Sequence, residues 1–181
     1  MSRSLSIVRS YFRPIFGQPS WHGSAEFGSW LTINFGDPHL VVREAVPDAK
    51  ARALQRRVAV VEGAHRLWVE MGAWKLHIGK RQFAHSEQSR RQLQRAAATL
   101  EGQKLHEIQI SAKPLVTKFV FDEGAILSVS ATHDAQPDEG LWHLYSGTRV
   151  LVLHASGELQ YGALSRNAPS KCKVESLRYA A

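Results

Sequence analysis

Apolar and polar residues alternate along most of the chain, which is the two-residue period of half-buried β-strands. The stretch 28–45 alternates in this way up to Phe35, and its apolar run resumes at Leu40 after a Gly-Asp-Pro sequence. Proline lacks the amide hydrogen of a sheet ladder and fixes its own φ angle, so Pro38 favours a turn. The pattern therefore predicts a hairpin over residues 28–45.

Further segments carry the same strand pattern, with glycines or prolines between many of them. They are residues 58–61, 67–71, 74–78, 105–110, 115–121, 125–129, 141–145, 150–153 and 159–161. Together with the hairpin they predict about ten antiparallel strands. Because so many strands would curl or split, we expect a sandwich or a half-open barrel rather than one flat sheet.

One segment has a helical period instead. Residues 86–101 begin with Ser86, a favourable N-terminal cap, and end before Gly102, which tolerates the left-handed backbone of a helix end. Their apolar positions recur at helical spacing and are mostly alanine: Leu93, Ala96, Ala97 and Leu100. A helix with so small an apolar stripe can lie close on a sheet. The predicted fold class is α+β, mainly antiparallel β with this one principal helix.

The two ends of the chain differ from the middle in composition. Residues 1–27 mix Ser, Arg, Pro and Gly with aromatic side chains, which predicts an extended N-terminal arm that lies against the body. Residues 163–181 have the composition of a linker and predict a basic C-terminal tail that contributes little to the fold. A single α+β domain is expected to span residues 28–162.

A faint internal similarity leaves a second arrangement open. Leu-Trp occurs at 67–68 and at 141–142, and each pair is followed by a glycine and then by two apolar residues at matching offsets. Strand-rich segments reach such matches by alternation alone. A true repeat would make the body two β meanders joined by the helix.

The net charge of +7 lies mostly at the ends, because residues 28–162 hold sixteen basic and fourteen acidic residues. A folded body of net charge +2 is an ordinary solvated surface. Arginines also cluster on the predicted helix at Arg90, Arg91 and Arg95, but no aromatic platform accompanies them. Nucleic acid is therefore not the expected partner.

Cysteine usage and hydropathy indicate the compartment. The single cysteine, Cys172, excludes an intramolecular disulfide and a zinc site built on paired thiolates. No apolar run reaches the length of a membrane helix, and the N-terminus lacks the pattern of a secretory signal. We therefore expect a cytoplasmic protein without a membrane partner.

Sequence motifs for catalysis and metal binding are missing. The nine histidines include no pair at ligand spacing, and neither a Gly-x-Ser-x-Gly elbow nor a glycine-rich phosphate loop occurs. We therefore expect no metal and no cofactor. An enzyme that uses His143 with a carboxylate such as Glu70 or Glu44 stays an alternative, although no spacing brings these groups together.

A group of aromatic and polar residues is the candidate binding site. Its members are Arg66, Trp68, Trp74, Trp142, His143 and Tyr145. Both faces of the 141–145 strand carry apolar residues, so packing in the core explains the tryptophans as well. The alternative is a pocket or partner surface in which indole, imidazole and phenol groups make directional polar contacts.

Three sequence segments stand out together: Gly28-Ser-Trp-Leu-Thr, Phe35-Gly-Asp-Pro-His-Leu with Arg43-Glu44 after it, and His65-Arg-Leu-Trp68. They resemble segments of a family of small bacterial cytoplasmic proteins for which no activity is known. The resemblance covers most of residues 16–162 and implies a single domain and a bacterial origin. In the family, paired cysteines follow the Leu-Trp strand. Glu70-Met71-Gly72 stands there in this chain, so the resemblance implies no thiol chemistry.

Small size, the lack of catalytic motifs and an aromatic-rich β body together predict a non-enzymatic protein-binding module. An immunity or accessory protein of a bacterial conflict system is one form that such a module takes. A small-molecule binder with a cavity inside the curled sheet is the second hypothesis. A hydrolase-like enzyme using His143 is the third.

Overall fold

Twelve β-strands and two α-helices make up the described part of the chain. The computed structural model describes residues 3–25, 28–163 and 173–177. The helices are α1 (Arg3–Phe12) and α2 (Arg90–Thr99). The strands are β1 (Ser20–Ala25), β2 (Leu31–Arg43), β3 (Val58–Val69), β4 (Ala73–Ile78), β5 (Arg81–His85), β6 (Leu105–Ala112), β7 (Leu115–Phe121), β8 (Ala125–Ser130), β9 (Gly140–Ser146), β10 (Arg149–His154), β11 (Glu158–Ala163) and β12 (Lys173–Ser176).

The strands form two antiparallel sheets that are not closed into a barrel. The seven-stranded sheet has the order β1-β2-β3-β9-β10-β11-β12, and the five-stranded sheet has the order β5-β4-β8-β7-β6. The predicted α+β fold dominated by antiparallel strands is therefore confirmed. Each sheet joins strands from both halves of the chain, β3 to β9 and β4 to β8, so the two halves do not form two separate meanders.

A single apolar core joins the inner faces of the two sheets and both helices. Near its centre, the ring of Trp142 on β9 lies 5.8 Å from the ring of Phe119 on β7 and 5.6 Å from that of Phe12 on α1. The indole N–H of Trp142 donates to the hydroxyl of Thr117, 2.9 Å away across the core. This bond satisfies two polar groups that would otherwise be costly to bury.

Helix α1 corrects the prediction of an extended N-terminal arm. Val8, Tyr11, Phe12 and Ile15 lie at the spacing i, i+3, i+4, i+7, and all four are buried in the core. The residues that were predicted to rest on the body are thus part of its interior. Helix α1 forms because Val8, Tyr11 and Phe12 fall on one face at helical spacing, and Ile15 reaches the same core from the turn that follows the helix.

Helix α2 lies within the predicted 86–101 segment but begins later. Its N-terminal cap is Ser89 rather than Ser86, and Ser89 and Gln92 form a reciprocal capping box. The apolar stripe of α2 is buried, and the helix packs against β1 and β5. The expected close packing of an alanine-rich helix on a sheet is confirmed.

The hairpin predicted over residues 28–45 is wrong, because β2 continues through the Gly-Asp-Pro sequence. On β2, Gly36 and Asp37 stand opposite the single residue Ala64 of β3, which is a β-bulge. Gly36 has φ 71°, the left-handed conformation that a glycine adopts without strain. The actual turn comes after β2, in residues 44–57, and contains a short 3-10 helix (Arg52–Gln55).

A buried asparagine holds this bulge in place. The side-chain oxygen of Asn34 accepts from the backbone N–H of Gly63 at 3.0 Å, and its amide donates to the carbonyl of His22 at 3.2 Å. His22 lies in a second bulge, on β1, and has φ 47°. Asn34 therefore satisfies backbone groups that two bulges leave outside the ladder.

Strand β12 corrects the prediction that residues 163–181 contribute little to the fold. It pairs with β11, and Leu177 after it packs against the core. The hydroxyl of Ser4 donates to the carbonyl of Ser176 at 2.9 Å, so α1 and β12 are directly linked. Residues 164–172, which include Cys172, lie outside the described residues. Neither α1 nor α2 is long and apolar enough to cross a membrane.

Candidate functional site

Two of the six predicted site residues belong to the core. Trp74 and Trp142 are both fully buried. The indole N–H of Trp74 donates to the carbonyl of Ser29 at 2.6 Å, and that of Trp142 is satisfied by Thr117. For these two tryptophans the core alternative is the correct one, because their side chains alternate onto the inner faces of the sheets.

The other four predicted residues meet on the outer face of the seven-stranded sheet. Trp68 of β3 stands opposite His143 of β9, and Arg66 stands opposite Tyr145. The ring of Trp68 lies 5.3 Å from that of His143 and 6.2 Å from that of Tyr145. The guanidinium of Arg66 lies 5.0 Å from the centre of the Tyr145 ring, which is cation-π distance.

Trp30, just before β2, extends this cluster and was not predicted. Its ring meets the Trp68 ring edge to face at 5.2 Å. Trp30 lies within the predicted 28–45 stretch and has the same parity as Thr32, so the two-residue period could have placed it on the outer face. It reaches the cluster because Thr32, two residues later, pairs with Trp68.

Beyond the bulge, residues 38–43 of β2 and 58–63 of β3 form a two-stranded ribbon, which we call the arm. A groove of about 380 Å³ lies between one side of the arm and the outer face of the sheet. Its lining residues come from both parts: Trp30, Thr32, Val41, Arg43, Glu62, Arg66 and Trp68. Sequence reasoning missed the groove because it placed a turn where the arm begins.

The bulge determines which side chains of β2 line this groove. Thr32 faces outward next to Trp68, and without an extra residue the even-numbered positions would keep that face. The extra residue at the bulge gives the face to Val41 and Arg43 instead. Strand β3 has no extra residue, so Glu62 lies on the same face as Trp68.

Two arginines in the groove share one acidic partner. The Glu62 Oε1 atom lies 2.5 Å from Nη2 of Arg43 and 2.8 Å from Nη1 of Arg66. Among the described residues, Glu62 is the acceptor for both guanidinium groups, and Nε of Arg66 is buried without an acceptor. The charges of Arg43, Arg66 and Glu62 leave the groove with a net charge of +1.

His143 and Glu70 meet beside the aromatic cluster, although the sequence gave no reason to pair them. Nε2 of His143 lies 3.0 Å from Oε2 of Glu70, and this buried nitrogen makes no hydrogen bond among the described residues. Burial, with smaller contributions from the charges of His154 and Arg66, lowers the pKa of His143 to about 4. Burial also raises the pKa of Glu70. His143 is therefore neutral at pH 7, and the contact is not an ion pair.

This geometry offers little to a hydrolase. A histidine whose pKa is about 4 is a weak general base at neutral pH. Its other ring nitrogen, Nδ1, faces the Tyr145 hydroxyl at 3.5 Å, and burial raises the pKa of that phenol. Glu44, the other carboxylate considered for catalysis, pairs with Arg57 near the end of the arm. Among the described residues, no cluster of three or more His, Cys, Asp or Glu side chains could hold a metal ion.

The side of the arm that faces away from the groove is apolar and exposed. Leu40, Val42 and Val61 are 66%, 49% and 50% exposed. Both long edges of the arm are also unpaired within the described part of the chain, because β1 pairs with β2 only as far as Phe35 and β9 pairs with β3 only from His65. The arm therefore presents both apolar side chains and free backbone hydrogen-bonding groups.

Comparison of the chain with protein-family models, with curated protein sequences and with solved structures finds no match. The resemblance to small bacterial cytoplasmic proteins therefore stays a prediction. The proposals below rest on the geometry of the groove and the arm.

Proposed function

We propose that the protein is a non-enzymatic binding module of the bacterial cytoplasm that engages a protein partner through the arm and the groove. The observation that carries this proposal is the exposed apolar side of the arm, at Leu40, Val42 and Val61. A two-stranded ribbon alone is only marginally stable in water, and exposed apolar clusters are typical of interaction surfaces. A partner that covers the arm would stabilise the ribbon and would remove its apolar side chains from water.

A protein fits this surface better than a small ligand does. The groove and the exposed apolar side lie on opposite sides of the arm, so a small molecule in the groove would leave Leu40 and Val42 in water. The groove adds Trp30, Trp68 and Arg66, and these residue types contribute most of the energy at protein interfaces. The free edges of the arm can accept an added strand.

Charge favours a partner other than a second copy of the chain. The arm itself is neutral, with Arg43 and Glu62 as its charged residues, but the turn of residues 44–57 at its end holds four basic and two acidic residues, a net charge of +2. Two copies that met through these turns would repel each other, whereas an acidic surface would be attracted. An immunity or accessory protein would have this character, and a gene for a large toxin consistently next to this one would support that role.

A photo-crosslinking amino acid at Leu40 tests the proposal in cells of the source organism. The matched control is the same substitution at Lys118, which is exposed on the five-stranded sheet. We expect one discrete protein adduct from position 40 and none from position 118. The captured protein, once purified, should bind the wild-type chain in calorimetry and lose at least tenfold in affinity for Leu40→Lys, because a lysine charge would be buried. Equal adducts at both positions, or none at position 40, would contradict the proposal.

The small-molecule alternative keeps one favourable observation, the groove volume of about 380 Å³. That space lies on the outside of the sheet, whereas the sequence hypothesis placed the cavity inside it. A ligand that raises the melting temperature of wild-type protein and of Leu40→Lys equally would favour this alternative, because it would not need the apolar side of the arm.

A further inference from the structure

We propose that the groove holds a side-chain carboxylate of the partner between Arg43 and Arg66. This inference rests on the proposed function and names the group that the groove recognises. Two guanidinium groups share the single carboxylate of Glu62, so one positive charge in the groove has no counter-charge from the lining residues. A partner carboxylate would supply it.

The arrangement of donors suits a planar, two-oxygen acceptor. Glu62 takes a hydrogen bond from Nη1 of Arg66, which leaves the Nε–Nη2 edge of that guanidinium. Nε on this edge is buried, so an incoming carboxylate reaches Nη2 of Arg66 rather than Nε. With one oxygen on Nη2 of Arg66 and the other on the exposed guanidinium of Arg43, the carboxylate would accept two charge-assisted hydrogen bonds. The stacking of Arg66 on Tyr145 fixes the plane of the guanidinium, so little entropy is lost on binding.

The walls of the groove indicate what lies next to the carboxylate. Trp30 and Trp68 present aromatic surface on the sheet side, and Val41 is apolar on the arm side. A partner backbone without a large side chain would bury little apolar surface against these walls. We therefore infer that the partner segment carries an aromatic or large apolar residue beside its Asp or Glu, and not a cation, since Arg43 and Arg66 would repel one.

A matched pair of capped peptides tests this inference on the full-length chain. The probes are acetyl-Phe-Glu-Val-amide and its glutamine counterpart, titrated by ¹H–¹⁵N NMR at low salt. We expect the glutamate peptide to bind about tenfold more tightly or better, because hydrogen bonds to charged groups are the stronger ones. It should shift the indole signals of Trp30 and Trp68. The preference should shrink as salt is added.

Three arginine variants locate the site. Arg43→Gln and Arg66→Gln should each remove the preference for the glutamate peptide. Arg57→Gln is the control, because it also removes one arginine near the end of the arm. The Arg57 side chain pairs with Glu44 and does not line the groove. If Arg66→Gln unfolds the chain, Arg43→Gln still tests the inference. The Arg43 side chain is 57% exposed, so its replacement should not disturb the fold. Equal binding of both peptides, or a full preference retained in Arg43→Gln, would overturn the inference.

Two further outcomes separate this inference from the proposed function. Free 3-phenylpropionate binding as tightly as the glutamate peptide would overturn the assignment to a partner segment in favour of a small acid. A partner captured at position 40 that binds wild type and Arg43→Gln equally would overturn the carboxylate site and leave the proposed function standing. If the captured partner loses at least tenfold in affinity for Arg43→Gln and none for Arg57→Gln, the result would support both the carboxylate site and the proposed function.

Discussion

Lowering the pH from 7 to 4 should destabilise the fold through His143. Its side chain is 16% exposed, and burial lowers its pKa from 6.5 to about 4. In the unfolded chain the same group takes up its proton near pH 6.5. Between these two values the unfolded chain binds more protons, so stability falls as the pH falls through this window and levels off below it.

The magnitude follows from the two pKa values. The interval between 6.5 and about 4 corresponds to about 3 kcal/mol of unfolding free energy. Glu70 acts in the opposite direction, because burial raises its pKa and the folded chain then takes up that proton first. Arg66 and His154 face His143 and already contribute to its low pKa. We therefore expect the loss that depends on His143 to be about 2 to 3 kcal/mol.

Urea unfolding of wild type and His143→Gln at pH 7.0, 5.5 and 4.5 measures this loss. The glutamine variant lacks the titrating group, so its unfolding free energy should fall less over this range, whatever its stability at pH 7. His133→Gln is the matched control, because the side chain of His133 is 97% exposed. An NMR titration of the imidazole reads the pKa directly. A value near 6.5 for His143, or the same pH slope for wild type and His143→Gln, would refute the reasoning.

Three further predictions concern stability. Asn34→Ala should cost about 1 to 3 kcal/mol in chemical unfolding, because it leaves the buried N–H of Gly63 without a partner and removes the part-buried hydrogen bond to the carbonyl of His22; a cost below about 0.5 kcal/mol would show that water replaces the amide. Gly140→Ala should cost about 1 to 3 kcal/mol in the same measurement, because the new Cβ would lie 2.4 Å from the His143 ring, and an unchanged stability would show that the ring moves aside. Ending the chain at residue 172 should lower the unfolding free energy by about 1 kcal/mol or more through loss of β12 and of Leu177 packing, and an unchanged melting temperature would contradict the role given to β12.

Local patterns in the sequence predicted most of the strands and the type of fold. Alternation reports which face of a strand is buried, and it holds in β7 and β8 because each of these strands has one face in the core. It does not hold in β10, where four consecutive residues are buried. It also separated Trp68 from the core-facing Leu67 and Val69. The same reasoning could not place Trp142, because an alternating strand with apolar residues on both faces does not reveal which face is the inner one.

The errors arise where a local signal has two meanings. Gly36-Asp37-Pro38 suits a turn and a glycine bulge equally well, and only the pairing of β2 with a long β3 decides between them. Helix α1 carried the correct apolar spacing from Val8 to Ile15, but the surrounding Ser, Arg, Pro and Gly residues suggested an extended segment. Contacts between residues that are distant in the chain could not be predicted from sequence spacing. Glu70 approaches His143 only because β3 pairs with β9.

The extra residue in β2 lets two parts of one strand with opposite sequence parity share a face. Thr32 and Arg43 both lie on the groove side, although one position is even and the other is odd. Removing Asp37 would not exchange the faces of the arm, because each residue of β2 beyond the bulge would keep its partner on β3, with Leu40 opposite Val61 and Arg43 opposite Val58. Such a deletion would instead remove the local bend and the added twist of the bulge. The bulge therefore sets the direction in which the arm leaves the sheet and thereby the shape of the groove.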